Sequence, residues 1–213
     1  MAKQKRAHEM TAERWIERSR LTTILSAIRN DPYIKAWGAI TSHFARIDIL
    51  TWDDVLIALH LAYSWMPTIP KLEKTFSLAP DEHDEVVRIL NRIRQGGELP
   101  NREELELLKQ LSNNSIIGAS KLLHFITPDR CPIWDKRVAQ SFFWDGVSDA
   151  NQIGRYEAYR SALSDWLKIS DVLSRIFEMQ KDASLPLSNA TPLRILELVL
   201  FEQPKSLKAQ TAD

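Results

Sequence analysis

The chain has 213 residues, 28 of them basic and 28 acidic, so its formal net charge is zero. That balance argues against a protein that coats nucleic acid by charge alone, and a composition 44% hydrophobic and 26% charged excludes disorder as the main state. The one cysteine, Cys131, excludes an internal disulfide framework, a cysteine zinc cluster and an iron–sulfur cluster.

The start, Met1 to Met10, is basic but no apolar run follows it, so it is not read as a secretory signal. No stretch reaches the roughly 18 apolar residues of a membrane span. The expectation is a cytoplasmic protein with no membrane partner. Apolar residues recur at helical spacing nearly everywhere. Thr11 to Asn30 reads as one helix with Trp15, Leu21, Ile24, Leu25 and Ile28 on one side. Asp31-Pro32 breaks it and opens the next, carrying Tyr33, Ile34, Trp37, Ile40 and Phe44. Thr51-Trp-Asp-Asp54 has the form of a reciprocal cap and opens Val55 to Met66. Asp81 to Gln95 follows and ends at Gly96-Gly97. Asn101 with Glu104 caps a helix whose stripe is Leu105, Leu108 and Leu111.

Ser112 to Ser115 reads as a turn, Ile116 to Ile126 as a short apolar helix, and Thr127 to Pro132 as a loop. Asp135 begins another helix through Val138 and Phe142. A polar connection leads to Tyr156–Leu167, Asp171 caps the next helix, and Thr191-Pro192 starts the last. Asp145-Gly146 is the one hairpin candidate, but its flanks read as helix. The fold class is therefore all-α: residues 1–213 form a single domain, an irregular bundle of about ten helices in two closely packed lobes, with no internal repeat.

The segment from Asn113 to Val138 is where chemistry concentrates. Lys121 sits among Leu122, Leu123, Phe125 and Ile126. Such neighbours disfavour an ammonium and make a neutral, nucleophilic amine available. Asp135 follows the Ile133-Trp134 pair, and a carboxylate shielded by a large ring acts strongly on a nearby cation. A helix, a return loop and a new helix start can bring both to one pocket, although Asp135 comes 14 positions after Lys121.

This arrangement resembles the helix-hairpin-helix DNA glycosylase superfamily, over about 26 residues of the chain. Gly118-Ala-Ser-Lys121 matches the hairpin exit and its lysine, with one glycine where the family carries two. Pro132-Ile-Trp-Asp135-Lys-Arg-Val138 matches the segment bearing the catalytic aspartate. The resemblance implies an enzyme that extrudes a damaged or modified base from double-stranded DNA and cleaves its N-glycosidic bond. Asp135 would stabilise the cationic sugar, and Lys121 would attack the anomeric carbon, or water would do so in its place. The Ser115–Ser120 amides, with Gly118, would hold phosphate at a helix start, helped by Arg130, Lys136 and Arg137. Trp134, Trp37, Tyr63 or His124 would line the base pocket. No cofactor and no metal is implied. The divergent motif suggests an unusual base, such as one in phage DNA, and hence a defence role.

Plainer readings stand beside these. Lys121 can be a solvated lysine whose stem crosses Leu122. Asp135 can be a helix cap, with or without a second role. His124 can be a satisfied structural histidine. Cys131 has no base beside it in sequence, and Arg88, Arg92 and Arg94 touch DNA only if they lie beside the Lys121 loop. The whole chain can also be a non-catalytic nucleic-acid-binding protein, or a helical protein–protein interaction domain.

Overall fold

Side-chain caps set several of the helix starts in the computed structural model, which describes residues 10–66, 68–143 and 150–202, the Lys74 side chain excepted. Thr51 accepts the Asp54 N–H while Asp54 takes the Thr51 N–H, which starts α4 (Trp52–Ser64). Asn101 and Glu104 do the same for α7 (Arg102–Leu111). Asp31 accepts from Tyr33 N–H ahead of α3 (Pro32–Ala45). Ser115 opens α8 (Ile116–Ile126), and Thr191 opens α12 (Pro192–Phe201). The other segments are α1 (Ala12–Ser19), α2 (Thr22–Asn30), the single turn α5 (Leu72–Thr75) and α6 (Pro80–Arg94). Then come α9 (Lys136–Phe143), α10 (Ile153–Trp166) and α11 (Ser170–Lys181). No strand occurs among the described residues, so the fold is the all-helical bundle that the apolar spacing predicts. The basic cluster Lys3, Lys5, Arg6 and the Asp145-Gly146 pair lie outside the described residues.

Two boundaries differ from expectation. Residues 11–30 form two helices, because Arg175 of α11 donates to the Ser19 carbonyl at 2.7 Å. A continuing helix would have given that carbonyl to residue 23. Asp171 lies inside the first turn of α11, behind Ile169, where its charge suits the helix dipole without capping it.

The α7–α8 connection is a tight helical hairpin. Asn113 and Asn114 both take left-handed backbone angles, each with φ of 56°. Asparagine tolerates that region better than most residues, so this pair makes the reversal without glycine. Gly118 lies in the first turn of α8 instead. A Cβ there would stand 3.1 Å from both Tyr63 Oη and Ser112 Cβ, so the position is held small by packing.

α8 and α12 are the inner helices. Ten of the eleven α8 residues are buried, and α8 packs on α3, α4, α6 and α7. α12 is buried from Leu193 through Leu200 and packs on α1, α2, α9, α10 and α11. Full burial of side chains such as Leu122, Leu123 and Phe125 is worth about 2 kcal/mol apiece. α1 is fixed to α12 by polar bonds as well. Trp15 Nε1 donates to Leu196 O at 3.0 Å, and Arg18 reaches Val199 O and Glu202 O at 2.9 and 2.6 Å. The arginine thereby satisfies carbonyls at the end of α12 that the helix leaves unpaired.

Candidate active site

Two side chains of α8 strap the following loop against it. Ser120 Oγ accepts the Trp134 N–H at 2.9 Å and donates to Ile117 O at 2.9 Å. His124 Nε2 lies 2.8 Å from Trp37 Nε1, and the indole can only donate. The proton therefore sits on Nδ1, which donates to Cys131 O at 2.7 Å. Held by these bonds, residues 127–135 return along α8 and deliver Asp135 beside Lys121.

Lys121 Nζ stands 3.9 Å from Asp135 Oδ2, their side chains being 6% and 22% exposed. The ammonium also donates to Trp65 O, at the end of α4, at 3.1 Å. Burial pushes the Lys121 pKa below its ordinary value, and the nearby Asp135 and Glu197 carboxylates hold it up in part. Asp135 Oδ1 accepts the Arg137 N–H at 2.7 Å, so the carboxylate caps α9 with one oxygen and faces the lysine with the other.

Both groups line a cleft of about 770 Å³, within the size range of small-molecule sites. Tyr33 and Trp65 form its aromatic wall, with ring centroids 5.2 Å apart. Arg194 and Glu197 of α12 line it too. They are 4% and 1% exposed, and Arg194 Nη1 donates to Glu197 Oε2. Burial raises the Glu197 carboxyl to about 7, against the pull of Arg194. The sequence reading passed over this pair. Its signal was there: two opposite charges three residues apart inside the apolar run Leu193–Leu200. Among the described residues four acidic and four basic side chains line the cleft, so it is no simple cationic trough.

Several expected site residues are elsewhere. Trp134 and His124 are fully buried, Trp37 and Tyr63 nearly so, and none of the four lines the cleft. Trp134 Nε1 donates to Ala150 O at 2.7 Å, and Trp37 and His124 bond each other. Burial of His124 pushes its pKa down to about 3, as a neutral structural histidine requires. Tyr63 backs Gly118 and borders a separate cavity with Asn113 and Ser115. The anion cradle expected at the start of α8 is already occupied. Ile116 N–H donates to Asn151 Oδ1 at 2.8 Å and Gly118 N–H to Ser115 Oγ at 3.2 Å. Ser120 is buried under the return loop. Arg130 bonds Ile93 O at 2.7 Å and borders a different cavity. Of the expected phosphate contacts, Lys136 and Arg137 do lie on the cleft, both exposed. Arg88 and Arg92 are tied to Glu85 and Glu104 and lie outside it.

Chemically, the site pairs a desolvated amine with a carboxylate in a concavity that also holds Glu197, whose carboxyl pKa burial raises. Such a set can attack, stabilise or protonate a bound organic group. Among the described residues no group of three or more His, Cys, Asp or Glu could hold a metal ion, and no helix is long and apolar enough to cross a membrane. No known protein family, curated protein or solved structure matches this chain.

Proposed function

We propose that the chain is a DNA glycosylase that draws a damaged or modified base out of duplex DNA into the Lys121–Asp135 cleft and breaks its N-glycosidic bond. The observation that carries this reading is the meeting of a buried lysine and an aspartate, 3.9 Å apart, at the wall of one cleft. The likeness of residues 113–138 to the helix-hairpin-helix glycosylases supports the same chemistry. Lys121, as the free amine, forms a bond to the anomeric carbon while the glycosidic bond breaks and its electron pair leaves with the base. Asp135 offsets the positive charge that develops on the sugar. Lys136 and Arg137, exposed at the cleft, take neighbouring phosphates.

The test is base release from duplex oligonucleotides carrying a panel of damaged and modified bases, together with borohydride trapping on an abasic duplex. The expected result is a covalent adduct that Lys121→Gln abolishes, and base release that Asp135→Asn abolishes. A second reading, a helical nucleic-acid-binding protein without chemistry, draws on the Lys121 bond to Trp65 O and on the capping role of Asp135. Intact DNA affinity in both variants, with no base released by the unaltered protein, would favour it.

A further inference from the structure

Arg194 and Glu197 are unusual tenants of α12. Every other buried residue of that helix is apolar. Burying an ion pair there is commonly no better for stability than a well-packed apolar pair. The pair is also incompletely satisfied: the Arg194 Nε–H is buried and has no hydrogen-bond partner. Both residues line the cleft that holds Lys121 and Asp135.

The mixed charge narrows what can sit against them. A phosphate or carboxylate would meet Glu197 and Asp135, and a simple cation would meet Arg194 and Lys121. What fits both is a neutral group with an acceptor next to a donor. The surrounding wall adds aromatic surface: the Arg194 guanidinium lies 5.6 Å from the Trp65 ring centre, and Tyr33 meets Trp65 at 60°. A planar heterocycle slides against such a wall. Among neutral partners, a guanidinium bonds best to a carbonyl oxygen, and a carboxylate to the most acidic N–H available. A ring N–H beside a carbonyl is far more acidic than an exocyclic amino N–H. We propose that Arg194 and Glu197 read the edge of the extruded base, and that they select a base with a cyclic-amide edge, O=C–N–H, of the guanine or thymine kind.

This inference rests on the glycosylase reading for its biological sense, but its test does not. The full chain is titrated with deoxyguanosine and thymidine, and with their N1-methyl and N3-methyl derivatives, which lack the ring N–H. Binding is read by calorimetry or saturation-transfer NMR. The unmethylated nucleosides bind, and the methylated ones bind at least about tenfold more weakly, because the buried Glu197 carboxylate then meets a methyl group in place of a donor. This arm uses unaltered protein and does not depend on any variant folding. Arg194→Met and Glu197→Gln each weaken binding by a similar factor. Equal binding of methylated and unmethylated nucleosides, or no binding of either, overturns the inference. Borohydride trapping on an abasic duplex, which has no base to read, separates the two ideas. Loss of trapping in the unaltered protein with selectivity intact would sink the lysine chemistry and leave the base reader standing.

Discussion

Asp135 divides its carboxylate between two partners: Oδ1 accepts the Arg137 N–H at 2.7 Å while Oδ2 faces Lys121 Nζ at 3.9 Å. A cap and a candidate catalytic group thus share one side chain, and a substitution can part them. Asparagine caps a helix as well as aspartate does. Asp135→Asn is expected to keep the cap and to lower unfolding free energy by no more than about 2 kcal/mol, through the lost partner of Lys121, while base release falls by about 100-fold or more. Denaturant unfolding and single-turnover base release on the same preparation give both numbers. A large loss of stability would assign the residue to structure alone.

Lys121 is a cation held out of water, with its pKa lowered first by burial. Lys121→Met removes that burden, and Asp135 keeps partial access to solvent. The melting temperature is expected to hold or rise, while the borohydride adduct disappears. For the unaltered protein the sign of the pH effect is fixed. The amine loses its proton at a lower pH than a surface lysine, so the trapping rate climbs with rising pH and levels off earlier than for a free lysine. A drop in melting temperature for the methionine variant would contradict this account.

His124 gives an acid-stability prediction. Its pKa falls from 6.5 to about 3 on folding, so the unfolded chain binds more protons between those values. Stability is then full above about pH 6.5, declines as the pH falls, at up to about 1.4 kcal/mol per unit, and levels off below about pH 3. The cause is burial first, with Arg194 adding to it. A protonated ring would also turn a second N–H against the Trp37 indole. His124→Gln, compared with the unaltered chain by urea unfolding at pH 7 and pH 5, is expected to lose less stability over that interval. An identical loss would remove His124 from the acid response.

The hairpin asparagines are expected to differ from each other. Both need left-handed backbone, so alanine at Asn114 costs about 1 kcal/mol and glycine there costs little or nothing. Asn113 carries a further duty. Its Oδ1 accepts from Lys71 N at 2.8 Å and its Nδ2 donates to Ile69 O at 3.1 Å. Asn113→Gly is therefore expected to destabilise even though the backbone is content. Equal melting temperatures for the two glycine variants would refute the distinction.

Local signals made much of this molecule legible. The ends of α4, α7, α8 and α12 follow from caps that bond within three residues. Lys121 and Asp135 stood out because polar groups in an apolar setting demand a reason. What sequence did not reveal depends on distant partners. The break between α1 and α2 is imposed by Arg175, 156 positions away. The aromatic wall comes from Tyr33 and Trp65, far from each other in sequence and both well ahead of the Lys121 segment, while the tryptophan next to Asp135 turned inward to the Ala150 carbonyl. Arg194 and Glu197 were masked by the leucines around them, since a strongly apolar helix reads as core whatever two of its residues carry.

The lone thiol has a practical consequence. Cys131 is fully buried, and burial raises its pKa, so it presents little thiolate to any reagent in solution. A cysteine introduced at exposed Ser174 on α11 should then take a maleimide dye by itself. Fluorescence distances between that dye and a labelled duplex become measurable without first stripping the native sulfur from the chain.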